Sequence, residues 1–314
     1  MSREVATDAW QLADIPDQAG RTVVVTGPSV GGLGHATALE LARRGARVVL
    51  AGRTEAKLDK ARDAIEAEVP GADLEEMLVD LSDLSSVRRA AAGAGRLGPI
   101  HVLVNNAGVM ATPYSRTADG LELQMATNHF GPFLLTGLLL PQLVASEGGR
   151  VVTVSSQLHR AARSAPLEDP RDTSRRYSRW PTYARSKLAN LLFTHELDRR
   201  CRDAEVPVLA TAAHPGFAGS HLAVNGQYGR TSGGVASILD AAIKAVSQPI
   251  AQGAWPTLMA ATADLPGGTY CGPGGLGEMS GAPQVVTSRH LAHDEVAQRR
   301  LWEVSEEVTG IRYP

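Results

Sequence analysis

Residues 22–51 constrain the fold of this chain more than any other stretch. Thr22–Thr26 is a short run with three consecutive valines, the composition of a buried strand. It runs straight into Gly27-Pro-Ser-Val-Gly-Gly-Leu-Gly34. A helical pattern follows from His35 to Arg44, with Ala38, Leu41 and Ala42 on one side and Gly45 as a C-cap. A second strand, Arg47–Ala51, begins at once. Strand, glycine-rich turn, helix and strand in this order form a βαβ unit. Glycines let the backbone approach a pyrophosphate closely, and the helix N-terminus adds amide donors and the positive end of its dipole. The unit predicts a dinucleotide site.

The residue after the second strand bears on which dinucleotide. Gly52-Arg53-Thr54 stands where an acidic residue would hold an adenosine ribose 2′-hydroxyl. Arg53 would instead pair with a 2′-phosphate, which favours NADP(H) over NAD(H).

Strands and helices continue to alternate. The pattern predicts a helix over 55–69, a strand over 74–79 and a helix over 82–94 opened by a Ser or Asp cap. A strand over 102–104, a helix over 121–144 and a strand over 150–155 follow. Residues 157–181 read as a long polar loop, 182–201 as a helix and 208–213 as a sixth strand. Repeated βα units imply a doubly wound parallel sheet, a Rossmann fold with helices on both faces. Ligands of such sheets sit beyond the carboxyl ends of the strands. The unusual residues fall there: Gly27–Gly34, Arg53, Asp80-Leu81, Asn105–Gly108, Ser155-Ser156 and Pro215-Gly216. Asp80-Leu81 is placed to flank an adenine.

Tyr183 and Lys187 lie four apart on the 182–201 helix and so share a face. A free tyrosine, with a pKa of about 10, is a poor acid or base at neutral pH. A lysine ammonium beside it favours the phenolate and is expected to bring that pKa down by two to three units. The pair predicts a general acid/base.

Composition excludes several classes. The 314 residues are 43% hydrophobic and 20% charged, with a net charge of −2 and no long run of one sign, so no nucleic-acid partner is expected. The most apolar run, 133–144, is too short to span a membrane and contains Pro141. Cys201 and Cys271 form neither a disulfide framework nor a metal-ligand spacing, and the histidines do not cluster, so no metal is expected. A reducing cytoplasm is the simplest compartment. The glycine run 267–277 reads as a set of turns, and Leu301 and Trp302 as anchors of a C-terminal helix. His159 would either line the substrate mouth or sit exposed in its loop.

Over residues 20–220 the chain resembles the short-chain dehydrogenase/reductase family. The resemblance rests on Thr26-Gly27 through Gly34, Asp80-Leu81, Asn105-Asn-Ala-Gly108, Asn128, Val154-Ser-Ser156, Tyr183-x-x-x-Lys187 and Pro215-Gly216. Tyr183-Ala-Arg-Ser-Lys-Leu-Ala-Asn-Leu-Leu-Phe-Thr194 and Leu301-Trp-Glu-Val-Ser-Glu-Glu307 look like the retinol-dehydrogenase-like branch. The resemblance implies roles. Tyr183 is the general acid/base, Lys187 its partner and a ribose contact, Ser156 the donor to the substrate oxygen, and Asn128 the holder of a relay water. Cofactor contacts are implied for Thr26, Gly27, Ser29, Gly32, Leu33, Gly34, Arg53, Asp80, Leu81, Asn105, Ala107, Gly108, Tyr183, Lys187, Pro215, Gly216 and Ser220. The glycine turn is one residue longer than the family's usual turn, with Gly31 taking up the insertion.

The expected protein is one Rossmann domain over 1–314. It has a lead-in over 1–20, substrate-side loops over 157–181 and 217–250, and a C-terminal helix and tail over 290–314. The expected reaction is NADP(H)-dependent interconversion of an alcohol with a ketone or aldehyde, on a small hydrophobic substrate, with a homo-oligomer through the two long helices as an option. Alternatives are a non-catalytic NADP(H) sensor or scaffold, or a reductase of a conjugated carbon–carbon double bond.

Overall fold

The computed structural model describes residues 10–168, 171, 177–217 and 249–314. Among these residues eight strands form one sheet: β1 (Thr22–Thr26), β2 (Arg47–Gly52), β3 (Leu74–Leu78), β4 (Val102–Asn105), β5 (Gly149–Val154), β6 (Val208–Ala213), β7 (Tyr270–Pro273) and β8 (Pro283–Val285). Their order is β3-β2-β1-β4-β5-β6-β7-β8. All neighbours are parallel except β7 and β8. The chain builds outward from β1 in one direction and then resumes at β4 in the other. The β1–β4 border is therefore the switch point, where a crevice opens at the carboxyl ends of the strands.

The valine run of β1 shows why an uninterrupted apolar strand suits this sheet. Val23 and Val25 pack on one face, with α1 (Leu33–Arg43), α2 (Glu55–Glu68) and a later helix, Trp255–Thr262. Val24 packs on the other, with α3 (Leu84–Ala92), α5 (Gly131–Val144), α6 (Arg179–Asp203) and the C-terminal helix Glu295–Thr309. All three valines are fully buried because helices cover both faces. In chain order α4 is the short turn Leu123–Met125, α7 is Ile250–Gly253, α8 is Trp255–Thr262 and α9 is Glu295–Thr309.

Most elements match the sequence reading within two or three residues. The cap of α3 is Asp83, whose side chain accepts the Ser85 and Ser86 amides. The helix expected over 121–144 is interrupted. After α4 the chain makes a π-helical turn, Ala126–Phe130, before α5. The glycine run 267–277 is more than turns, because it contains β7, and β8 follows it. Gly272 is required within β7, since a Cβ there would lie 2.0 Å from His214 Nε2. The polar loop expected from 157 opens with a 3₁₀ turn, Gln157–Ala161.

Among the described residues, no helix is long and apolar enough to cross a membrane, and no group of His, Cys, Asp and Glu could hold a metal ion.

Candidate active site

Because β1 to β7 run parallel, the residues following them line one edge of the sheet. On the β1 side lies the glycine turn. Gly27 and Gly31 have φ of 69° and 73°, in the left-handed region. Gly34 sits where a Cβ would come within 2.4 Å of Asn106 Nδ2 and 2.5 Å of the Gly27 carbonyl. Helix α1 starts at Leu33 behind Gly32, with no side chain capping its first amides. A helix N-terminus without a side-chain cap, above a glycine-rich turn, is a cradle for an anionic group. Ser29 is exposed on this turn, and its carbonyl accepts the Gly32 amide at 2.9 Å.

Thr26 is fully buried and holds the neighbouring loop. Its Oγ1 accepts the Asn106 amide at 3.0 Å and the Ala107 amide at 2.9 Å, and donates to the Val104 carbonyl at 3.1 Å. Asn105 is also buried, its Nδ2 donating to Thr136 Oγ1 at 3.0 Å. These two side chains shape the crevice from behind. Asn106, which the sequence reading included in the 105–108 run without a role of its own, does more at the turn: its Nδ2 donates to the Thr26 carbonyl at 2.7 Å and to that of Gly27 at 3.3 Å. Gly34 in the first turn of α1, where a side chain would meet Asn106, is the signal that could have pointed to it. Asp80 folds back on Ser82, accepting its amide at 2.9 Å and its hydroxyl at 2.6 Å, and Leu81 is buried. Arg53 is exposed beyond β2, with no hydrogen bond or ion pair among the described residues.

The second group gathers beyond β5. Tyr183 and Lys187 are both buried on one face of α6. Lys187 Nζ donates to the Val154 carbonyl at 2.9 Å and lies 5.8 Å from the centre of the Tyr183 ring. Burial pushes the Tyr183 phenol up to about 12, against a smaller opposing effect of its hydrogen bond with the Ser156 side chain. Burial also holds Lys187 down at about 8. The expected depression of the tyrosine by the lysine is thus corrected: in a site this dry the loss of water around the phenolate outweighs the nearby ammonium. Ser155 is a strand-end hydrogen-bonder, donating to the Lys187 carbonyl at 2.8 Å.

Asn128 reaches this group from the π turn, a distortion frequent at functional sites. Its Nδ2 donates to the Val109 carbonyl and to Ser186 Oγ, each at 2.9 Å, and its Oδ1 accepts the Val109 amide at 2.8 Å. Both amide hydrogens are therefore taken, so the side chain anchors the 108–109 loop and leaves no donor for a water. A Cβ on Gly108 would lie 3.0 Å from Asn128 Oδ1 and 3.5 Å from Lys187 Nζ. Ala107 and Gly108 are half-buried between the cradle and this group. The Pro215-Gly216 turn closes the far side, with Gly216 at a φ of 62°. Ser220 lies outside the described residues.

His159 neither lines the mouth nor faces water. It is fully buried, with Nδ1 2.7 Å from the Ser156 carbonyl and Nε2 accepting the Arg289 amide at 3.2 Å. Nδ1 therefore carries the proton, and burial holds the ring neutral with a pKa of about 4.

A doubly wound sheet with a glycine cradle at its switch point and a Ser/Tyr/Lys group beside it defines a nucleotide-dependent oxidoreductase scaffold. The model of the short chain dehydrogenase family matches residues 21–166. Human retinol dehydrogenase 12 is 37% identical over 300 residues, covering 94% of this chain and 88% of that protein. Mouse polyprenol dehydrogenase is 38% identical over 308 residues, covering 94% and 86%. The crystal structure of an uncharacterised protein from Mycobacterium paratuberculosis superimposes with a TM-score of 0.79 at 43% identity, covering 98% of this chain and 99% of that one. A Beutenbergia cavernae structure with bound NADP has a TM-score of 0.58 at 26% identity, covering 78% and 90%. The chain belongs to the short-chain dehydrogenase/reductase family of NAD(P)(H)-binding oxidoreductases. Within it, the chain falls in the retinol-dehydrogenase-like branch.

Proposed function

We propose that this protein is an NADP(H)-dependent oxidoreductase that interconverts an apolar alcohol with its ketone or aldehyde. The observation that carries the reading is the meeting of Ser156, Tyr183 and Lys187 beyond β5, beside the glycine cradle. The nucleotide would be held by the Gly27–Gly34 turn and the first amides of α1, by Asp80-Leu81 and Ala107-Gly108 along the crevice, and by Pro215-Gly216. Arg53 would take the 2′-phosphate, because it is exposed and has no partner among the described residues. The cradle fits such a group: the missing side chains at Gly27 and Gly34 let the turn pack closely against Ala107 and Asn106, and no side chain of the protein caps the first amides of α1.

Bound NADPH supplies a hydride. The protein's own residues manage the charge and the proton. Ser156 and Tyr183 donate hydrogen bonds to the oxygen of the substrate carbonyl, where negative charge grows. Tyr183 then gives its proton to that oxygen. A phenol held near 12 is still protonated at neutral pH, and an alkoxide is far more basic than a phenolate, so this transfer runs downhill. The phenolate left behind faces the Lys187 ammonium. With a pKa of about 8, that ammonium is mostly intact at neutral pH. Asn128 keeps the 108–109 loop, and with it the wall beside Lys187, in place.

The relatives named for retinol and polyprenol support an apolar substrate. Both cysteines are free and buried, which fits a reducing compartment, and a cytoplasmic location is part of the proposal.

Titration with NADPH and NADH, read by fluorescence, tests the nucleotide half of the reading. NADPH consumption with a carbonyl panel and a conjugated-alkene panel tests the chemistry. Turnover of carbonyls supports it. Turnover of conjugated alkenes alone, or NADPH binding with no turnover on either panel, overturns it.

A further inference from the structure

Across the crevice from the cradle stands a polar cluster that this chemistry does not use. Its centre is Glu278, on the glycine-rich loop between β7 and β8. One carboxylate collects donors from two other loops. Its Oε2 accepts from Gln157 Nε2 at 2.6 Å and from His214 Nε2 at 3.0 Å, and its Oε1 accepts from Arg160 Nη2 at 3.1 Å.

The two donor loops are the ones that carry the site. Gln157 and Arg160 belong to the turn immediately after Ser156. His214 follows β6 and opens the Pro215-Gly216 turn, where its Nδ1 accepts the Gly216 amide at 3.2 Å. That acceptor role fixes the ring proton on Nε2, which faces Glu278. Phe217 extends the link, its amide donating to the Met279 carbonyl at 2.9 Å.

The backbone holds disfavoured conformations to achieve this. Glu278 has a φ of 55° and Gly277 a φ of 62°, so the carboxylate projects from two successive left-handed residues. Gly216 and Gly272 leave room for the contacts: Cβ atoms there would fall 2.5 Å from the Met279 carbonyl and 2.0 Å from His214 Nε2. Such conformations persist where surrounding contacts over-determine them, and they cluster at functional sites.

We propose that Glu278 is a positioning residue that locks the turn after Ser156 and the Pro215-Gly216 turn to each other across the crevice. The inference rests on the proposed function only in giving those two turns their catalytic meaning. The lock itself is a physical property of the protein. It sets the distance between the donor to the substrate oxygen and the nicotinamide-side turn, the two things a hydride transfer must hold in register.

Glu278→Gln tests it. Glutamine keeps the length but offers one acceptor oxygen, and its amide group confronts donors. Hydrogen exchange on the full chain reads the lock directly. The His159, Gly216 and Phe217 amides, all hydrogen-bonded in these turns, should exchange at least about tenfold faster in the variant, while α6 and α9 keep their protection. With the best carbonyl substrate, kcat should fall about tenfold or more. NADPH affinity should fall less than kcat does, because, of the nucleotide contacts, only the Pro215-Gly216 turn is loosened, while the cradle and Arg53 lie beyond β1 and β2 on the other side of the switch point. The primary isotope effect from deuterated NADPH should rise as the chemical step becomes limiting. Unchanged exchange at either turn overturns the lock. Faster exchange at both with unchanged kcat overturns its positioning role. If the wild type turns over no carbonyl, the proposed function falls by itself and the exchange result still decides the lock. Glu278→Asp keeps the charge but draws the carboxylate back from its donors; it should loosen both turns in the same measurement, and serves if the first variant does not fold.

Discussion

Lys187 Nζ stands 5.8 Å from the centre of the Tyr183 ring, pinned there by the Val154 carbonyl at 2.9 Å. Burial pulls the two groups in opposite directions, the phenol up to about 12 and the ammonium down to about 8. Each shift favours the neutral form, as a dry site must. On raising the pH, the lysine therefore gives up its proton before the tyrosine does. The pair is set to donate from Tyr183 and to meet the resulting phenolate with a cation, provided the pH stays below the lysine's range.

On the proposed mechanism, Tyr183→Phe removes the hydroxyl that gives up the proton and keeps the buried ring. Turnover should fall by about 10²–10⁴-fold, the usual worth of a positioned general acid. NADPH affinity and the circular dichroism spectrum should stay close to wild type, since the cradle and Arg53 are untouched. Retained turnover in a folded variant sinks the assignment of Tyr183.

The rate of carbonyl reduction should be level through neutral pH and decline above about 8, where Lys187 loses its charge. The reverse reaction needs Tyr183 to accept a proton, and a phenol held near 12 resists ionisation, so alcohol oxidation should gain from alkaline conditions until the lysine is lost. Lys187→Met should lower the level part of the reduction profile and abolish the decline near 8. A decline at the same pH in that variant would assign it to another group.

The sheet and its order of elements were legible because β1 is an uninterrupted valine run and the turn after it is rich in glycine. Burial on both faces leaves that pattern no other home. The Tyr183/Lys187 pair was legible through its spacing and Ser155-Ser156 through a strand-end position, whereas the part given to Ser156 came from the family resemblance. What escaped depends on contacts across the fold. Asn106 sits between two residues that were singled out, and its importance appears only when Gly34 is seen against its side chain. The sign of the Tyr183 shift was misread because sequence shows the neighbouring lysine and hides how completely water is excluded. β7 was hidden by Gly272 and its glycine neighbours, which read as turns until His214 is found filling the space. Glu278 carries no local signal at all, since its three partners come from positions 157, 160 and 214.

On the proposed reading, Arg53 is the residue that would discriminate between the two nucleotides. It is exposed past β2 and has no partner among the described residues, so its charge is available to a phosphate. A charge-assisted bond of that kind is worth about 1.5–3 kcal/mol, roughly tenfold to a hundredfold in affinity. Arg53→Ala should weaken NADPH by that factor and leave NADH nearly unchanged in parallel titrations. Equal losses for both would place Arg53 on a shared part of the nucleotide, and no loss for either would remove it from the site.

Three buried histidines, His129, His159 and His214, and the half-buried His195 should make stability depend on pH on the acid side. Burial lowers His129 and His214 to about 3, and His159 and His195 to about 4. Unfolded, each would titrate near 6.5. Between about 6.5 and 4 the unfolded chain takes up protons that the folded chain cannot, so stability falls as the pH is lowered through that window. From pH 7 to pH 5 the loss should be on the order of 1 kcal/mol or more for each such ring, visible as a falling urea midpoint. A midpoint constant over that range would mean that the rings are charged in the folded protein.

Among the described residues, the side of α5 and α6 that carries Phe133 and Phe193 is covered by the chain's own C-terminal segment. Trp302 of α9 is buried, stacks on Phe193 of α6 at 5.9 Å and meets Phe133 of α5 edge-on at 5.0 Å. The tail beyond α9 completes the cover: Tyr313 donates to the Phe133 carbonyl at 3.1 Å, and a Cβ on Gly137 would lie 2.6 Å from its ring. His129 in the π turn is tied to Ser305 of α9 at 2.8 Å. This cover competes with the optional homo-oligomer through the two long helices, and if it wins, light scattering should show a monomer at micromolar concentration. Trp302→Ala should cost about 3–5 kcal/mol by opening a cavity at the centre of this contact, and should lower the melting temperature accordingly. If the wild type is instead a dimer whose interface includes α5 or α6, α9 would have to swing away from that face, and Trp302→Ala would then leave the dimer no less stable.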